Sequence, residues 1–380
     1  MKDFDERLRK LIHMERHNFA GSSSRAIVEL VDLLFEFAIK MRASDLHIEP
    51  FEKSLRVRYR IDGQLQELHQ PLPLSLADAL TSRIKILARM DTTAAFLPLD
   101  GAIQFDNVEM RVASMPSFGA ESLTIRLLDS SPALHNLSEL GFTSTNEKIF
   151  RQVINSAAGM IILTGPMNSG KSTTLYAALR ELNQPTRSIM TLEDPIEQHV
   201  EGISQVQVNE KIGLTFAAGL RAMLRMDCNV LMVGEARDAE TSKIAIRAAL
   251  TGHLIFTTLH ANDSCSAIFR MLEMGVEPYL LAATLNGVIA QRLVRKVCLH
   301  CGGKGCDHCR GTGYRGRIAL HEILRIDKNL RNLILNSRDL DEIKASALEA
   351  GLKTLADDAN EKVRAGLTTL EEIRRVLGAD

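Results

Sequence analysis

The residues Gly165 to Ser172 read GPMNSGKS and fit the pattern GxxxxGK[ST], which surrounds the phosphates of a nucleotide. An apolar segment, IILT, precedes them, and a stretch with helical spacing, STTLYAALREL, follows. Glycines let backbone N–H groups face phosphate oxygens, and the following helix N-terminus adds its dipole. We therefore expect Lys171 to reach the β- and γ-phosphates of ATP and the Ser172 hydroxyl to bind Mg²⁺. The residues that the pattern assigns to nucleotide binding are Gly165, Pro166, Met167, Asn168, Ser169, Gly170, Lys171, Ser172 and Thr173.

Two acidic segments follow apolar runs further along the chain. VLMVGEARD has Gly234 where a Mg²⁺-side aspartate usually stands, so Glu235 is the candidate that activates water for hydrolysis. MTLEDPIEQ places Glu193, Asp194 and Glu197 just past another apolar run. Open α/β sheets bind ligands beyond the carboxyl ends of their strands, so these three acids are candidates to hold Mg²⁺-bound waters or position the attacking water. Each is alternatively a loop acid or a charge at a helix N-terminus.

Two histidines, His253 and His260, flank the apolar segment LIFTTL. Histidines at strand ends are often structural, and that interpretation stays open for both. Because the segment is typical of a central strand in the sheet that carries the phosphate loop, a role in sensing the γ-phosphate is the other interpretation.

The stretch CLHCGGKGCDHC contains two CxxC pairs that are separated by four residues. Four thiolates suit tetrahedral Zn²⁺, and such closed sites are structural because no coordination position stays open for water. The segment Gly302-Gly303-Lys304-Gly305 permits the sharp return that brings both pairs to one ion. His300 and His308 are spare ligands that we do not expect to bind the metal, and a module without metal is the alternative. The predicted zinc ligands are Cys298, Cys301, Cys306 and Cys309.

Apolar and helical patterns divide the chain into segments of different character. The four apolar, β-rich stretches GMIILTG, SIMTLED, NVLMVGE and HLIFTTLH are separated by helical stretches, which is typical of a doubly wound parallel sheet. Alternating segments before them, with a hairpin signal at Asp62-Gly63, indicate an α+β domain. The predicted segments are a polar, linker-like N-terminus (1–24), the α+β domain (25–135), a linker (136–146), the α/β core (147–296), the tetracysteine module (297–317) and a helical C-terminal region (318–380).

Composition excludes several classes of protein. The 46 Lys and Arg nearly balance the 47 Asp and Glu, so there is no basic excess that would indicate nucleic acid as the main partner. Aromatic residues make up 4% and tryptophan is absent, which argues against a base-stacking platform. The charged N-terminus and the lack of a run of about eighteen apolar residues indicate neither a secretion signal nor a membrane span. Without a secretion signal, we expect the isolated Cys228 and Cys265 to be reduced thiols. We therefore expect a cytoplasmic protein.

The segments GPMNSGKST, TLEDPIE, LMVGEARD and TGHLIFTTLHAND, in this order, resemble those of the type II secretion and type IV pilus assembly ATPase family. ASDLHIEP, VRYRIDG and LTIRLLD resemble the domain that precedes the ATPase core of that family. The CxxC pairs followed by GTGYRGR resemble its tetracysteine module, and LKTLADDANEKVRAGLTTLEEIRRV resembles its helical C-terminus. The resemblance covers about residues 25 to 375.

The resemblance implies a RecA-like ATPase core, preceded by a PAS-like α+β domain, that assembles into a hexameric ring. Nucleotide would lie between the core and a neighbouring N-terminal domain. ATP, Mg²⁺ and Zn²⁺ are the implied cofactors. The implied partners are an inner-membrane platform protein and pilin or pseudopilin subunits, through which the ATPase would associate peripherally with the membrane. The implied activity is ATP hydrolysis that drives assembly of a type IV pilus or a type II secretion pseudopilus.

The resemblance also implies roles for individual residues. Lys171 and Ser172 take the phosphate-loop roles, Glu197 and Glu235 the roles of catalytic glutamates, and His260 the role of sensor.

Arginines of the preceding domain neutralise γ-phosphate charge in the family. Arg111 and Arg126 match by position and Arg60 matches more weakly, with a solvated charge on a sheet face as the alternative for each. LPLDGAIQF has Ala102 where the family usually has an arginine, so one charge-neutralising group is lost or relocated. Two further departures are a short insert between the cysteine pairs and the expected lack of an additional N-terminal docking domain.

Other functions fit parts of the sequence. They are a nucleic-acid translocase or helicase on the same core, a regulator that binds nucleotide without hydrolysing it, a pilus retraction motor and a small-molecule kinase. The retraction branch generally lacks the tetracysteine module, and the retained Lys171, Glu197 and Glu235 argue against a regulator.

Overall fold

The computed structural model describes residues 2–17, 23–68, 70–94, 97–117, 119–128, 136–336 and 339–378. Two compact units divide the chain, Met1–Pro132 and Ala133–Asp380, and each is described by itself.

The first unit is an antiparallel sheet with helices. Its elements are α1 (Lys2–His17), α2 (Ser23–Lys40), β1 (Ala43–Pro50), β2 (Ser54–Ile61), β3 (Gln64–Glu67), β4 (Leu72–Pro73), α3 (Ala77–Leu87), β5 (Leu99–Phe105), β6 (Val108–Pro116) and β7 (Glu121–Leu128). The strand order is β3-β2-β1-β7-β6-β5, and β4 pairs with β2. Alternate residues of β2 are buried, from Leu55 to Ile61, so that one sheet face forms the core. This unit has the predicted α+β composition, and its PAS-like character stays a prediction.

The N-terminal segment differs from the predicted polar linker. Residues 2–17 form helix α1, in which Phe4, Leu8, Leu11 and Ile12 are buried. Their spacing of four, three and one places them on one helix face, and the Phe4 ring stacks on Phe37 with centroids 3.9 Å apart. The many charged residues between them obscured this pattern in the sequence. Residues 18–22, which include the first two residues of the GSSS stretch, lie outside the described residues.

The second unit contains the phosphate loop. Its elements are α4 (Ser144–Ile154), β8 (Gly159–Thr164), α5 (Lys171–Leu182), β9 (Ile189–Glu193), β10 (Ser204–Gln207), α6 (Phe216–Met223), β11 (Val230–Val233), α7 (Ala239–Leu250), β12 (Leu254–Leu259), α8 (Ser264–Glu273), α9 (Pro278–Thr284), β13 (Leu285–Val297), β14 (Tyr314–Arg325), α10 (Lys328–Asn336), α11 (Leu340–Glu349), α12 (Leu355–Arg364) and α13 (Leu370–Leu377).

The seven strands of this unit have the order β10-β9-β11-β12-β8-β13-β14. All neighbours are parallel except β13 and β14, which form a long antiparallel ribbon. Every residue of β8, β9, β11 and β12 is buried, as expected for strands with helices on both faces. Strand β14 extends to Arg325 and therefore occupies the start of the region predicted to be helical, whereas α10 to α13 follow it as predicted.

The ribbon is fastened to the C-terminal helix α13 by a buried carboxylate. Glu372 accepts hydrogen bonds from the Arg295 backbone N–H at 2.9 Å and from its guanidinium at 2.8 Å, and Arg375 also binds it. The Arg295 guanidinium lies over the Tyr314 ring, 4.1 Å from the centroid. Burial acts to raise the pKa of Glu372, but hydrogen bonds from Arg375 and Arg295 outweigh it and lower that pKa to about 2. Helix α13 is therefore held by an ionised group.

Replacing Glu372 by glutamine tests this attachment. The substitution leaves the largely buried Arg295 without its counter-charge, so we expect it to lower the free energy of unfolding by about 3 kcal/mol in urea denaturation near pH 7. The neighbouring Glu371→Gln, at an exposed position, is the matched control and should change little. Since the pKa is lowered from 4.5 to about 2, the advantage of the native chain over Glu372→Gln should be complete above pH 4.5 and disappear as the pH falls towards 2. An advantage that does not depend on pH would contradict the ionic attachment.

Candidate nucleotide-binding site

The phosphate loop connects β8 to α5 and lies directly against β13. Gly165 and Gly170 have φ of 149° and 84°, which disfavours residues with a side chain. A Cβ atom at Gly165 would lie 2.5 Å from the carbonyl oxygen of Gln291, and one at Gly170 would lie 2.8 Å from its Nε2. The Gln291 amide also donates to the Ser169 carbonyl at 2.9 Å and accepts from the Thr174 hydroxyl at 2.8 Å. Through Gln291, strand β13 thus packs against the phosphate loop and holds it in place.

The lysine of the loop is folded back onto it. Lys171 Nζ donates to the carbonyl oxygens of Gly165 at 2.8 Å and Pro166 at 2.9 Å. Burial lowers the pKa of Lys171, the Glu235 carboxylate opposes this effect, and the nearby Arg292 adds to it. Phosphate oxygens would supply the negative charge that this partly buried ammonium group lacks.

Three predicted residues meet at the carboxyl edge of the sheet. His260 follows β12 and has Nδ1 3.0 Å from the carbonyl oxygen of Gly165, while its Nε2 lies 3.3 Å from Oε1 of Glu235. Nδ1 must carry a hydrogen, because a carbonyl oxygen can only accept. Glu235 also accepts from Arg237 Nε at 2.6 Å. The structure therefore brings Lys171, Glu235 and His260 together around Gly165.

The two acids at the end of β9, Glu193 and Asp194, have different environments. Glu193 is only 3% exposed, and its carboxylate accepts hydrogen bonds from three protein donors, Tyr176, Thr191 and Gln205. This geometry differs from the prediction that Glu193 contacts nucleotide or Mg²⁺, because the carboxylate is buried and occupied by these three donors. Asp194 is exposed and lies 3.9 Å from Arg237.

Glu197 is exposed in the loop after β9. Its backbone N–H donates to the Tyr176 hydroxyl at 3.3 Å, and its charge acts to raise the pKa of Lys171. Its position is compatible with the predicted catalytic role, which stays a prediction.

His253 lies at the opposite edge of the sheet. It precedes β12, whereas His260 follows it, and its Nδ1 lies 3.1 Å from the carbonyl oxygen of Ala248. Because parallel strands all point the same way, residues before them cannot join the site at their carboxyl ends. The structural interpretation therefore holds for His253.

The predicted arginines lie on one sheet of the first unit. Arg126 Nε and Arg60 Nε lie 3.1 and 3.2 Å from the two carboxylate oxygens of the buried Asp45. In the strand register, Arg111 pairs with Arg126 on one side and with Ala102 on the other. The sheet therefore groups these positions, and their expected contact with γ-phosphate stays a prediction.

The four cysteine sulfurs form one cluster at the tip of the β13–β14 ribbon. All of them lie within 4.8 Å of one another, and neither His300 nor His308 belongs to the cluster. Gly302, Gly303 and Gly305 all have positive φ, as expected for the tight return between the pairs. The Cys309 sulfur lies 3.6 Å from that of Cys301 and 3.7 Å from that of Cys306, and both separations are far beyond disulfide bonding distance.

Sequence reasoning did not identify three residues that shape the site. Gln291 and Arg292 stand as a polar pair inside the apolar stretch NGVIAQRLV, and that interruption was a usable signal. Arg292 donates to the Asn262 carbonyl at 2.7 Å and so holds the segment after His260. Tyr176 gave no signal, because a tyrosine on an apolar helix face normally serves only packing.

No helix among the described segments is both long and apolar enough to cross a membrane.

A glycine-rich turn on a parallel sheet, with a lysine at the following helix N-terminus and a glutamate just after β11, defines a P-loop ATPase with a RecA-like α/β core. The model of the family described as Type II/IV secretion system protein matches residues 21–375, and the chain belongs to that family.

Individual relatives agree with this assignment. Type II secretion system ATPase E of Vibrio cholerae serotype O1 is 43% identical over 379 residues, covering 92% of this chain and 75% of that protein. Type IV pilus assembly ATPase PilB of Myxococcus xanthus is 40% identical over 380 residues, covering 91% of this chain and 67% of that protein. Among solved structures, the pilus retraction motor PilT with bound ADP has a TM-score of 0.64 at 27% identity, covering 90% of this chain and 96% of that one.

Substituting Gly165 by alanine tests the contact between the loop and β13. The new methyl group would meet a backbone carbonyl that cannot move aside, so we expect the affinity for MgATP to fall at least ~10-fold in calorimetric titration. Gly252→Ala is the matched control, because Gly252 also has positive φ, 108°, but nothing lies within 4 Å of its Cβ position. Equal affinities of the two variants would show that the close approach is not needed for binding.

Proposed function

We propose that this protein hydrolyses ATP to drive assembly of a type IV pilus or a type II secretion pseudopilus. The observation that carries the proposal is the meeting of Lys171, Glu235 and His260 around the carbonyl of Gly165. The names of the 43% and 40% identical relatives support the two systems that the proposal covers.

The chemistry follows from the positions of these groups. The loop N–H groups and Lys171 bind the β- and γ-phosphates, and the Ser172 hydroxyl at the start of α5 would hold Mg²⁺, which neutralises phosphate charge when bound. Glu235 accepts a proton from the water whose oxygen forms a bond to the γ-phosphorus, while the bond to the bridging oxygen breaks and ADP leaves. When both ring nitrogens carry a hydrogen, His260 bridges the Gly165 carbonyl and Glu235, and it can thereby register the presence of the γ-phosphate. Glu197 approaches from the loop after β9 and helps to position the water.

The assembled form that we propose is a hexameric ring in the cytoplasm. It would act on an inner-membrane platform protein, through which pilin or pseudopilin subunits are added to a fibre. Arg111 and Arg126 would contribute positive charge to nucleotide bound in such a ring. A retraction motor is the second candidate, because PilT shares the fold over 90% of this chain, although its 27% identity is well below that of the assembly ATPases.

Replacing Glu235 by glutamine tests the catalytic assignment. The amide keeps the size of the side chain but cannot accept the proton, so we expect ATP hydrolysis to slow at least ~100-fold while MgATP binding is retained. The measurements are phosphate release and nucleotide titration. Glu201→Gln, at an exposed position later in the same loop between β9 and β10, is the matched control and should hydrolyse ATP normally.

Normal turnover of Glu235→Gln would remove Glu235 from the mechanism.

The phosphate-release assay on the native protein, repeated over a range of protein concentrations, tests the ring. If neighbouring chains complete the site, the native rate per chain rises as rings form, and a rate that is independent of concentration would contradict the shared site.

We also propose that the cysteine cluster binds structural zinc. Four sulfurs at about 2.3 Å from a tetrahedral ion lie about 3.8 Å apart. The separations of the Cys309 sulfur from those of Cys301 and Cys306, 3.6 and 3.7 Å, are close to that value. Such an ion would stabilise the tip of the ribbon. It would take no part in phosphate chemistry, because Cys298 comes seven residues after Gln291, the residue of β13 that contacts the phosphate loop.

Metal analysis tests the zinc assignment. Protein that is freshly purified under reducing conditions should contain one zinc ion per chain, and Cys309→Ser should lose it because a hydroxyl is a poor replacement for a thiolate. Cys228→Ser, at a buried cysteine outside the cluster, should retain the metal. Native protein free of zinc would overturn the assignment.

A further inference from the structure

The buried carboxylate of Glu193 connects the phosphate-loop helix to the loop that carries Glu197. Oε2 accepts from the Tyr176 hydroxyl on α5, and Oε1 accepts from Thr191 and from Gln205 Nε2, the latter at 3.1 Å. All three partners are donors, and the carboxylate is almost fully buried. A group in this environment has no free face for a ligand, so its function must be exerted through its partners.

One branch from Glu193 reaches the backbone of Glu197. The Tyr176 hydroxyl has a single hydrogen, which it donates to Glu193, and its oxygen is then oriented to accept the Glu197 N–H at 3.3 Å. Burial, together with the Glu193 hydrogen bond, raises the pKa of Tyr176, so the phenol keeps that hydrogen.

The second branch holds the loop on the far side of Glu197. Gln205 Nε2 donates its other hydrogen to the Gln198 carbonyl at 2.8 Å, and Gln205 Oε1 accepts the Val200 N–H at 2.7 Å. A single buried carboxylate thus orients two side chains, one of which binds the loop at Glu197 and the other at the residues that follow it. The exposed Glu197 side chain projects from a backbone whose position is fixed by this network.

We propose that Tyr176 and Glu193 are positioning residues that set the place of Glu197 relative to the phosphate loop. The proposal rests on the catalytic role of Glu197 within the proposed function. Because Tyr176 lies on α5, which begins at Lys171, one turn and a half of helix connects phosphate binding to the water-positioning acid.

Tyr176→Phe removes only the hydroxyl and keeps the ring that packs in the core. We expect kcat for ATP hydrolysis to fall on the order of 10-fold, the equivalent of one hydrogen bond, with MgATP affinity unchanged. Tyr279→Phe is the matched control, since Tyr279 lies exposed on α9, and it should behave as the native chain. Unchanged kcat in Tyr176→Phe would overturn the proposal.

A double-mutant cycle separates positioning from general stabilisation of the fold. In a Glu197→Gln background, Tyr176→Phe should have almost no further effect on kcat, because both changes remove the same contribution. A full 10-fold additional loss would show that Tyr176 acts independently of Glu197, and would overturn the proposal. Glu193→Gln is the second variant, and it should reproduce the Tyr176→Phe loss of kcat without weakening MgATP binding.

The cycle also distinguishes the failure of this proposal from that of the function on which it rests. Normal hydrolysis by Glu197→Gln would remove Glu197 from the catalytic mechanism, and both proposals would fail at that residue. Slow hydrolysis by Glu197→Gln with normal hydrolysis by Tyr176→Phe would leave the proposed function intact and eliminate the network alone.

Discussion

The close contact between the phosphate loop and β13 is the constraint on which the ATPase unit depends. Because Gly165 and Gly170 have no side chain, the loop can contact the backbone and the side-chain amide of Gln291. That amide in turn forms hydrogen bonds with Ser169 and Thr174. Strand β13 must therefore lie beside β8 in the sheet, and the sheet order provides this neighbour. A loop supported in this way is organised before nucleotide arrives, so less binding energy is lost in ordering it.

The parallel register then determines which side chains can meet the loop. Strands β9, β11 and β12 end at the same edge as β8, and Glu235 and His260, just after β11 and β12, lie beside the phosphate loop. This explains why His260 joins the site whereas His253, at the start of β12, does not. Membership of the Type II/IV secretion system protein family is consistent with this arrangement of side chains at the carboxyl ends of the strands.

Much of this arrangement could be predicted, for physical reasons that also mark the limits. Strands buried on both faces appear as continuous apolar runs, so β8, β9, β11 and β12 were recognisable. Strand β10, with the polar sequence SQVQ, and β14, whose apolar spacing also suits a helix, were not. Sequence could place Glu193 and Asp194 at a strand end, but not tell which of two adjacent carboxylates points inward. The hydrogen bonds of Tyr176 join it to residues 17 and 21 positions further along the chain, and no local pattern encodes them.

The length of the β13–β14 ribbon has a mechanical consequence. Strand β13 pairs with β8 only from Leu285 to Ala290, so its last seven residues extend about 23 Å beyond that pairing. The cysteine cluster lies at the end of this overhang, and Arg295, the fifth of those seven residues, attaches α13 to it. A tilt of the sheet by about 5° would therefore move the tip by about 2 Å, at this strand length. Strand β13 thus contacts the phosphate loop at one point and carries the cysteine cluster at its end. A small rotation of the strand at the loop would displace the cluster more than any other part of the strand.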